Sequence, residues 1–236
     1  MFGLARKIHS KVRSMGRGRT SPAFRAVDRA MTGRRGDAVA YAWGLSEAVS
    51  FPITAEMCQV WLGVAQPRHL FRRAAMIVAG SVSGVAVTHL LTRAGRRPPA
   101  PWTTPQMEEA TARYLGVGPR GYWKQAFTGI PVKLFAAESG RRDLDLPPVL
   151  AHALAERALR MVGATAVVLI LEKPLGGPVR RYYGTYLALT GTAFALSLGA
   201  IVRLWRIEGA GDDPEARLER VSAEEQPIPA GPRSLP

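Results

Sequence analysis

Residues 74–92, AAMIVAGSVSGVAVTHLLT, carry no charge with His89 neutral, and Arg72, Arg73 and Arg93 stand at their two ends. A helix that crosses a bilayer needs about twenty apolar residues, and this run supplies them. Residues 182–202, YYGTYLALTGTAFALSLGAIV, form a second such run, bracketed by Arg180, Arg181 and Arg203. Both are rich in small residues: Gly80 and Gly84 in the first, Gly184, Thr185 and Gly191 in the second. That composition points to close helix–helix contact rather than to a purely lipid-facing surface. The expected class is an all-α membrane protein.

Three other apolar stretches are interrupted. Residues 37–65 carry Glu47 and Glu56 on either side of Phe51-Pro52. Residues 122–140 carry Lys124, Lys133 and Glu138 around Pro131. Residues 149–171 begin polar, with Glu156, Arg157 and Arg160, and end in an apolar run. The last reads as a third span whose first turns lie near a headgroup region or inside a bundle. Glu156 and Arg160 are four apart and can pair on one helix face. The first two read instead as hairpins that enter and leave from one side, broken at Pro52 and Pro131. Non-helical backbone at membrane depth is tolerated only where protein or a wet cavity covers it. A hairpin followed by a span recurs at an offset of about eighty residues, the pattern of transporters built from two inverted halves.

The charge follows this organisation. The 236 residues hold 32 Lys+Arg against 18 Asp+Glu, a net +14, yet the mean hydropathy is −0.01. A soluble chain with that balance would be read as a nucleic-acid binder. Here residues 1–36 hold net +9, residues 207–236 hold net −4, and the remaining bases bracket uncharged spans. The pattern is a topology signal that keeps the N-terminus cytoplasmic, with attraction to anionic headgroups as the other reading. No nucleic-acid partner is expected. The lone Cys58 excludes an internal disulfide framework and a thiolate zinc site. No short apolar run with a small-residue cleavage site follows the basic N-terminus, so no cleaved signal is expected.

The expected layout is a basic segment over 1–36 with a short helix at 5–12, a membrane domain over 37–206, and a disordered acidic tail over 207–236. Within the membrane domain we expect a hairpin over 37–65, a span over 71–93, a surface helix over 104–115, a hairpin over 121–140, and spans over 149–172 and 181–205. About three transmembrane helices and two re-entrant hairpins result, and the small-residue faces offer a route to oligomers.

Ionisable groups at membrane depth are costly and mark function by default. Glu47 and Glu56 flank a helix break and could exchange protons during transport; the alternative is an ion pair with a base of the other half. Lys133, two residues past Pro131, could attract a phosphate headgroup or pair with either acid, or snorkel to the interface. Arg141 is an interfacial base or a second headgroup contact. His9, His69, His89 and His152 show no metal-ligand spacing. The five tryptophans suit an interfacial belt. No HExxH, GxSxG or P-loop occurs, and no cofactor is expected. The lack of clustered Asp or His counts against an enzyme.

Ser46-Glu47-Ala48 through Phe51-Pro52-Ile53-Thr54-Ala55-Glu56 resembles the first hairpin of the DedA/VTT family, the SNARE-associated Golgi-type membrane proteins. Phe127-Thr128-Gly129-Ile130-Pro131-Val132-Lys133-Leu134-Phe135-Ala136-Ala137, closing with Ser139-Gly140, resembles the second. Better-known members carry Arg before the Phe and three residues past the Pro. Here Ala126 and Leu134 stand in those places, and Lys133 one residue earlier, closer to the small YqaA-like branch. The resemblance covers residues 37–205. It implies two facing re-entrant hairpins in a bacterial-type inner membrane. It also implies lipid translocation, either scrambling of phospholipids or proton-linked flipping of polyprenyl phosphates. Glu47 and Glu56 would then be the proton-sensitive acids and Lys133 the site cation. The competing readings are a non-transporting membrane scaffold that recruits partners through its charged termini, and a membrane enzyme acting on lipid phosphates.

Overall fold

The computed structural model describes residues 20–65 and 67–207. The expected helix at 5–12 and the acidic tail beyond residue 207 lie outside the described residues. Those described form nine α-helices with short 3₁₀ turns and no strand.

α1 (Pro22–Ala30) starts at Ser21, whose hydroxyl accepts from the Phe24 N–H at 3.1 Å with Pro22 in the first turn. This cap-plus-proline start is a standard N-terminus signal. α1 falls within the expected basic segment over 1–36, outside the short helix expected at 5–12. Phe24 is nevertheless buried, meeting Tyr183 edge-on at 5.5 Å.

α2 (Arg34–Val49), α3 (Ala55–Ala65) and α4 (Leu70–Arg93) form the first half. α2 and α4 run parallel. Arg72, early in α4, pairs with Asp37, early in α2, and Thr88 Oγ1 donates to Ala48 O at 2.9 Å near the far ends. Their backbones touch. A Cβ added at Gly80 would lie 2.0 Å from Tyr41 O, and one at Gly84 would lie 2.5 Å from Leu45 O. The small-residue spacing in the first span therefore serves an interface within the chain. The second span differs: a Cβ at Gly184 would meet nothing within 4 Å, and one at Gly191 only Trp61 at 3.8 Å.

The second half holds α5 (Pro105–Tyr114), the one-turn α6 (Gln125–Thr128), α7 (Val132–Arg141), α8 (Leu146–Arg181) and α9 (Tyr183–Ile207). α5 lies where a surface helix is expected, with Thr104 as its cap, and it buries Met107, Ala110 and Thr111. α8 runs past the expected end of its span near residue 172 and through Pro174 and Pro178. Each proline removes one ladder hydrogen bond. The four-residue spacing puts both on one helix face, and the Glu172–Arg180 ion pair bridges this stretch.

Among the described residues, two helices are long and apolar enough to cross a membrane, Pro67–Arg93 and Tyr183–Ile207. α8, expected as a third, falls short of the same test. Glu156, Arg157 and Arg160 interrupt one half of it, and Glu172 and Lys173 the other. Only 6% of the apolar stretch of α9 is buried against the rest of the chain. Large apolar side chains stand exposed on α4 (Phe71, Val87, Leu90), α8 (Val162, Ile170) and α9 (Leu189, Leu196).

Two apolar clusters make up most of the core. One gathers Met107, Tyr122, Phe135, Val149 and Ala153, the other Ala40, Cys58, Leu62, Ile77 and Met161. α8 gives Ala153 to the first and Met161 to the second, so Glu156, Arg157 and Arg160 fall at the seam.

Candidate functional site

Both interrupted stretches reverse direction at their breaks. α2 ends at Ser50, where the N–H groups of Ser50 and Phe51 both donate to Ser46 O. Pro52 has no N–H and pushes Phe51 away from helical dihedrals, so the helix cannot continue. The chain then folds back, and Trp43 meets Trp61 edge-on at 5.8 Å across the turn. Trp43 Nε1 donates to Ile53 O, and Trp61 Nε1 to Thr190 Oγ1. The two indoles pack on each other within the hairpin, and Trp61 also ties it to α9. They stand on either side of the turn, where folding back brings their ring edges together.

In the second hairpin, α6 ends on Gly129 at φ 69°, a left-handed cap that glycine takes without strain. Gln125 Nε2 holds the turn by donating to Ile130 O at 3.2 Å. Tyr122, before the turn, packs on Phe135, after it, at 5.6 Å.

The two acids of the first hairpin converge on α8. Arg157 Nη2 lies 3.1 Å from Glu47 Oε1, its Nη1 4.0 Å from Glu56 Oε1, and its Nε 3.6 Å from Glu156 Oε2. Arg160 Nη2 lies 2.8 Å from Glu56 Oε1 and its Nη1 3.5 Å from Glu156 Oε1. The Arg157 and Glu156 side chains are 2% and 1% exposed. Glu56 sits in the first turn of α3, where the unpaired N–H groups of a helix start favour a carboxylate.

Lys133 sits on the unfavourable end of its own helix, a cation in the first turn of α7. Its ammonium is held by carbonyls: Nζ donates to Ser50 O at 2.9 Å and to Pro101 O at 3.1 Å. Lys133 thus ties the tip of the second hairpin to that of the first. Three carboxylates and three cations make the group formally neutral.

A cavity of about 160 Å³ opens between the tips. Glu47, Lys133 and Arg160 line it with Trp102, Phe194 and Ile201, and both Pro52 and Pro131 border it. Glu47 Oε2 is buried and accepts no hydrogen bond among the described residues. The site therefore presents both signs of charge beside an apolar wall from α9.

Of the residues singled out from sequence, Glu47, Lys133, Pro52 and Pro131 line the cavity, and Glu56 joins them through its ion pair with Arg160. Arg141 does not line the cavity. It pairs with Glu138, which also takes Arg142 Nε at 2.7 Å. His89 is buried in the α4–α7 contact, its Nδ1 2.9 Å from Ser139 Oγ. The sequence reading placed Arg157 near a headgroup or inside a bundle and gave Trp102 no role in the site. The signal for Arg157 was present, since three charges in five residues of an otherwise apolar helix need partners. Among the described residues no group of three or more His, Cys, Asp or Glu could hold a metal ion. No protein-family model, curated protein or solved structure matches this chain.

Proposed function

We propose that the chain is a polytopic membrane protein that moves anionic amphiphiles across a bilayer, phospholipids or polyprenyl phosphates, through the cavity between its two hairpins. On this reading it is a DedA/VTT-type protein of the small YqaA-like branch, in a bacterial-type inner membrane. α4, α8 and α9 span, and the two broken-helix units are re-entrant. The observation that carries the reading is the convergence of both hairpin tips on one cavity lined by Glu47, Lys133 and Arg160. The exposed apolar residues of α4, α8 and α9 support the membrane setting, because a contiguous apolar surface needs an apolar partner.

The cations receive the phosphate, and the apolar α9 wall lies beside the lipid chains. Arg157 and Arg160 supply the guanidinium charge missing at Ala126 and Leu134. Glu47 and Glu56 compete with the ligand for those cations, and protonation of either acid frees a guanidinium for phosphate. Proton linkage follows from that competition.

Reconstitution into vesicles with fluorescent phospholipids and a labelled polyprenyl phosphate tests this. Faster translocation than in empty vesicles is expected. Rates equal to those of empty vesicles for every headgroup would discard the reading.

A membrane scaffold is the second reading, and one observation favours it. Glu47, Glu56 and Glu156 all have guanidinium partners, as a structural lock would require. Removing residues 1–19 or 208–236 separates the two, because a scaffold loses its function with those termini and a transporter keeps its lipid flux.

A further inference from the structure

The cavity between the hairpins has one side that neither hairpin forms. The segment joining α4 to α5 passes there, and its Pro101 and Trp102 line the cavity. Residues 97–102 read RPPAPW, so three prolines stiffen the approach. The segment leaves α4 through Gly95 at φ 75° and ends at Thr104, whose side chain accepts from the Met107 N–H at 3.2 Å. Trp102 itself takes φ 63°. A left-handed backbone is a rarity for a bulky side chain, kept only where surrounding contacts impose it. Those contacts lie on either side of Trp102. Lys133 Nζ holds the Pro101 carbonyl, and Thr103 Oγ1 donates to Ala100 O at 2.7 Å. Trp102 lines the cavity and is 57% exposed, so it sits at the cavity's outer side.

We propose that Trp102 is a gate over the inter-hairpin cavity, latched by Lys133 through the Pro101 carbonyl, and opened when an anionic group draws the ammonium away. The choice of an anionic ligand rests on the functional reading above. The ammonium–carbonyl bond is already charge-assisted, but a phosphate oxygen adds the attraction between two opposite full charges, which a carbonyl dipole does not offer. A phosphate oxygen therefore outcompetes the Pro101 carbonyl for Nζ. Arg160 lines the same cavity and adds to the pull on the anion. With the latch released, Trp102 keeps only the Thr103–Ala100 hydrogen bond of the two contacts that impose its unfavourable φ, and the proline-stiffened arm turns about Gly95. Lys133 thereby couples occupancy to access, since both hairpins and the arm meet at one nitrogen.

The test is fluorine NMR of the full chain in detergent, labelled with 5-fluorotryptophan, with the Trp102 resonance assigned by its loss in Trp102→Phe. The probes are dihexanoyl phosphatidic acid and, as the uncharged match, dihexanoylglycerol. We expect the phosphate probe alone to shift the Trp102 resonance, and Lys133→Met to lose the shift. An unmoved resonance, equal shifts from both probes, or a shift that survives in Lys133→Met overturns the gate.

A second variant avoids disturbing the buried lysine. Trp102→Gly keeps the backbone without strain and removes the cap. It is expected to speed labelling of a cysteine at the buried cavity residue 130, in Ile130→Cys/Cys58→Ser, by a charged thiol reagent. Unchanged labelling counts against the gate. Vesicle transport is a separate readout. Absent transport with an intact Trp102 response removes the functional reading and keeps the gate, and transport with an unmoved Trp102 does the reverse.

Discussion

Arg157 Nη2 lies 3.1 Å from Glu47 Oε1, a contact between residues 110 positions apart that joins α8 to the first hairpin. Both side chains are nearly closed to solvent. A buried pair of this kind is weak evidence of net stability, because desolvation offsets much of the attraction. Breaking it from one side is different, since the remaining charge stays buried.

Arg157→Met strands Glu47 and weakens the hold on Glu156 and Glu56. The expected loss is about 3–5 kcal/mol, read as a lower unfolding temperature in detergent. Arg157→Met/Glu47→Gln should recover part of it. A single variant that unfolds at the wild-type temperature would mean that Arg157 is not central to the fold.

Glu56 is the more accessible acid, and its partner Arg160 is also partly exposed. Glu56→Gln keeps the side chain's shape and leaves Arg160 its contact with Glu156, so it should cost less stability than Arg157→Met. Its effect is expected in function. Wild-type vesicle transport should vary with pH, and Glu56→Gln should flatten that profile. The same profile in both proteins would remove Glu56 from the proton-sensitive step.

The helix breaks were legible because proline acts locally, and Pro52 and Pro131 can be read in a window of a few residues. The charged seam was half legible. Glu156 and Arg160 form a pair at i,i+4, but Arg157's contacts with Glu47 and Glu56 depend on how α8 docks, which no local window contains. α1 was missed although Ser21-Pro22 is a helix start. Its basic composition outweighed one buried aromatic, Phe24, whose partner Tyr183 lies far along the chain. Trp102 was hidden for a different reason, because its role depends on a backbone angle and a hydrogen bond made by its neighbour.

The α2–α4 contact leaves no room for a methyl group. A Cβ at Gly80 would lie 2.0 Å from Tyr41 O, a backbone atom that cannot step aside. Gly80→Ala should cost about 1–3 kcal/mol as the helices are forced apart. Gly199→Ala is the control, since a Cβ there meets nothing within 4 Å. It should be neutral or gain about 0.5–1 kcal/mol from helix propensity. Equal losses at the two positions would contradict the close approach.

The parallel course of α2 and α4 makes a topological prediction that requires no knowledge of the substrate. Asp37 and Arg72 meet at one end, so the start of α2 and the start of α4 share a side. α2 contributes 16 residues, roughly 24 Å at the helical rise, and reaches as far as Thr88 before Pro52 turns the chain. α3 returns to the starting end, and α4 then continues to Arg93. In a Cys58→Ser background, Arg35→Cys and Arg68→Cys should react with a membrane-impermeant thiol reagent from the same side. Arg96→Cys, beyond α4, should react from the other. Arg206→Cys should behave like Arg96→Cys, because Trp205 beside it donates to Thr128 O in the second hairpin while Tyr183 begins α9 beside Phe24. Labelling of positions 35 and 68 from opposite sides would mean that the stretch between them crosses the membrane an odd number of times, as a span and not as a hairpin that enters and leaves from one side.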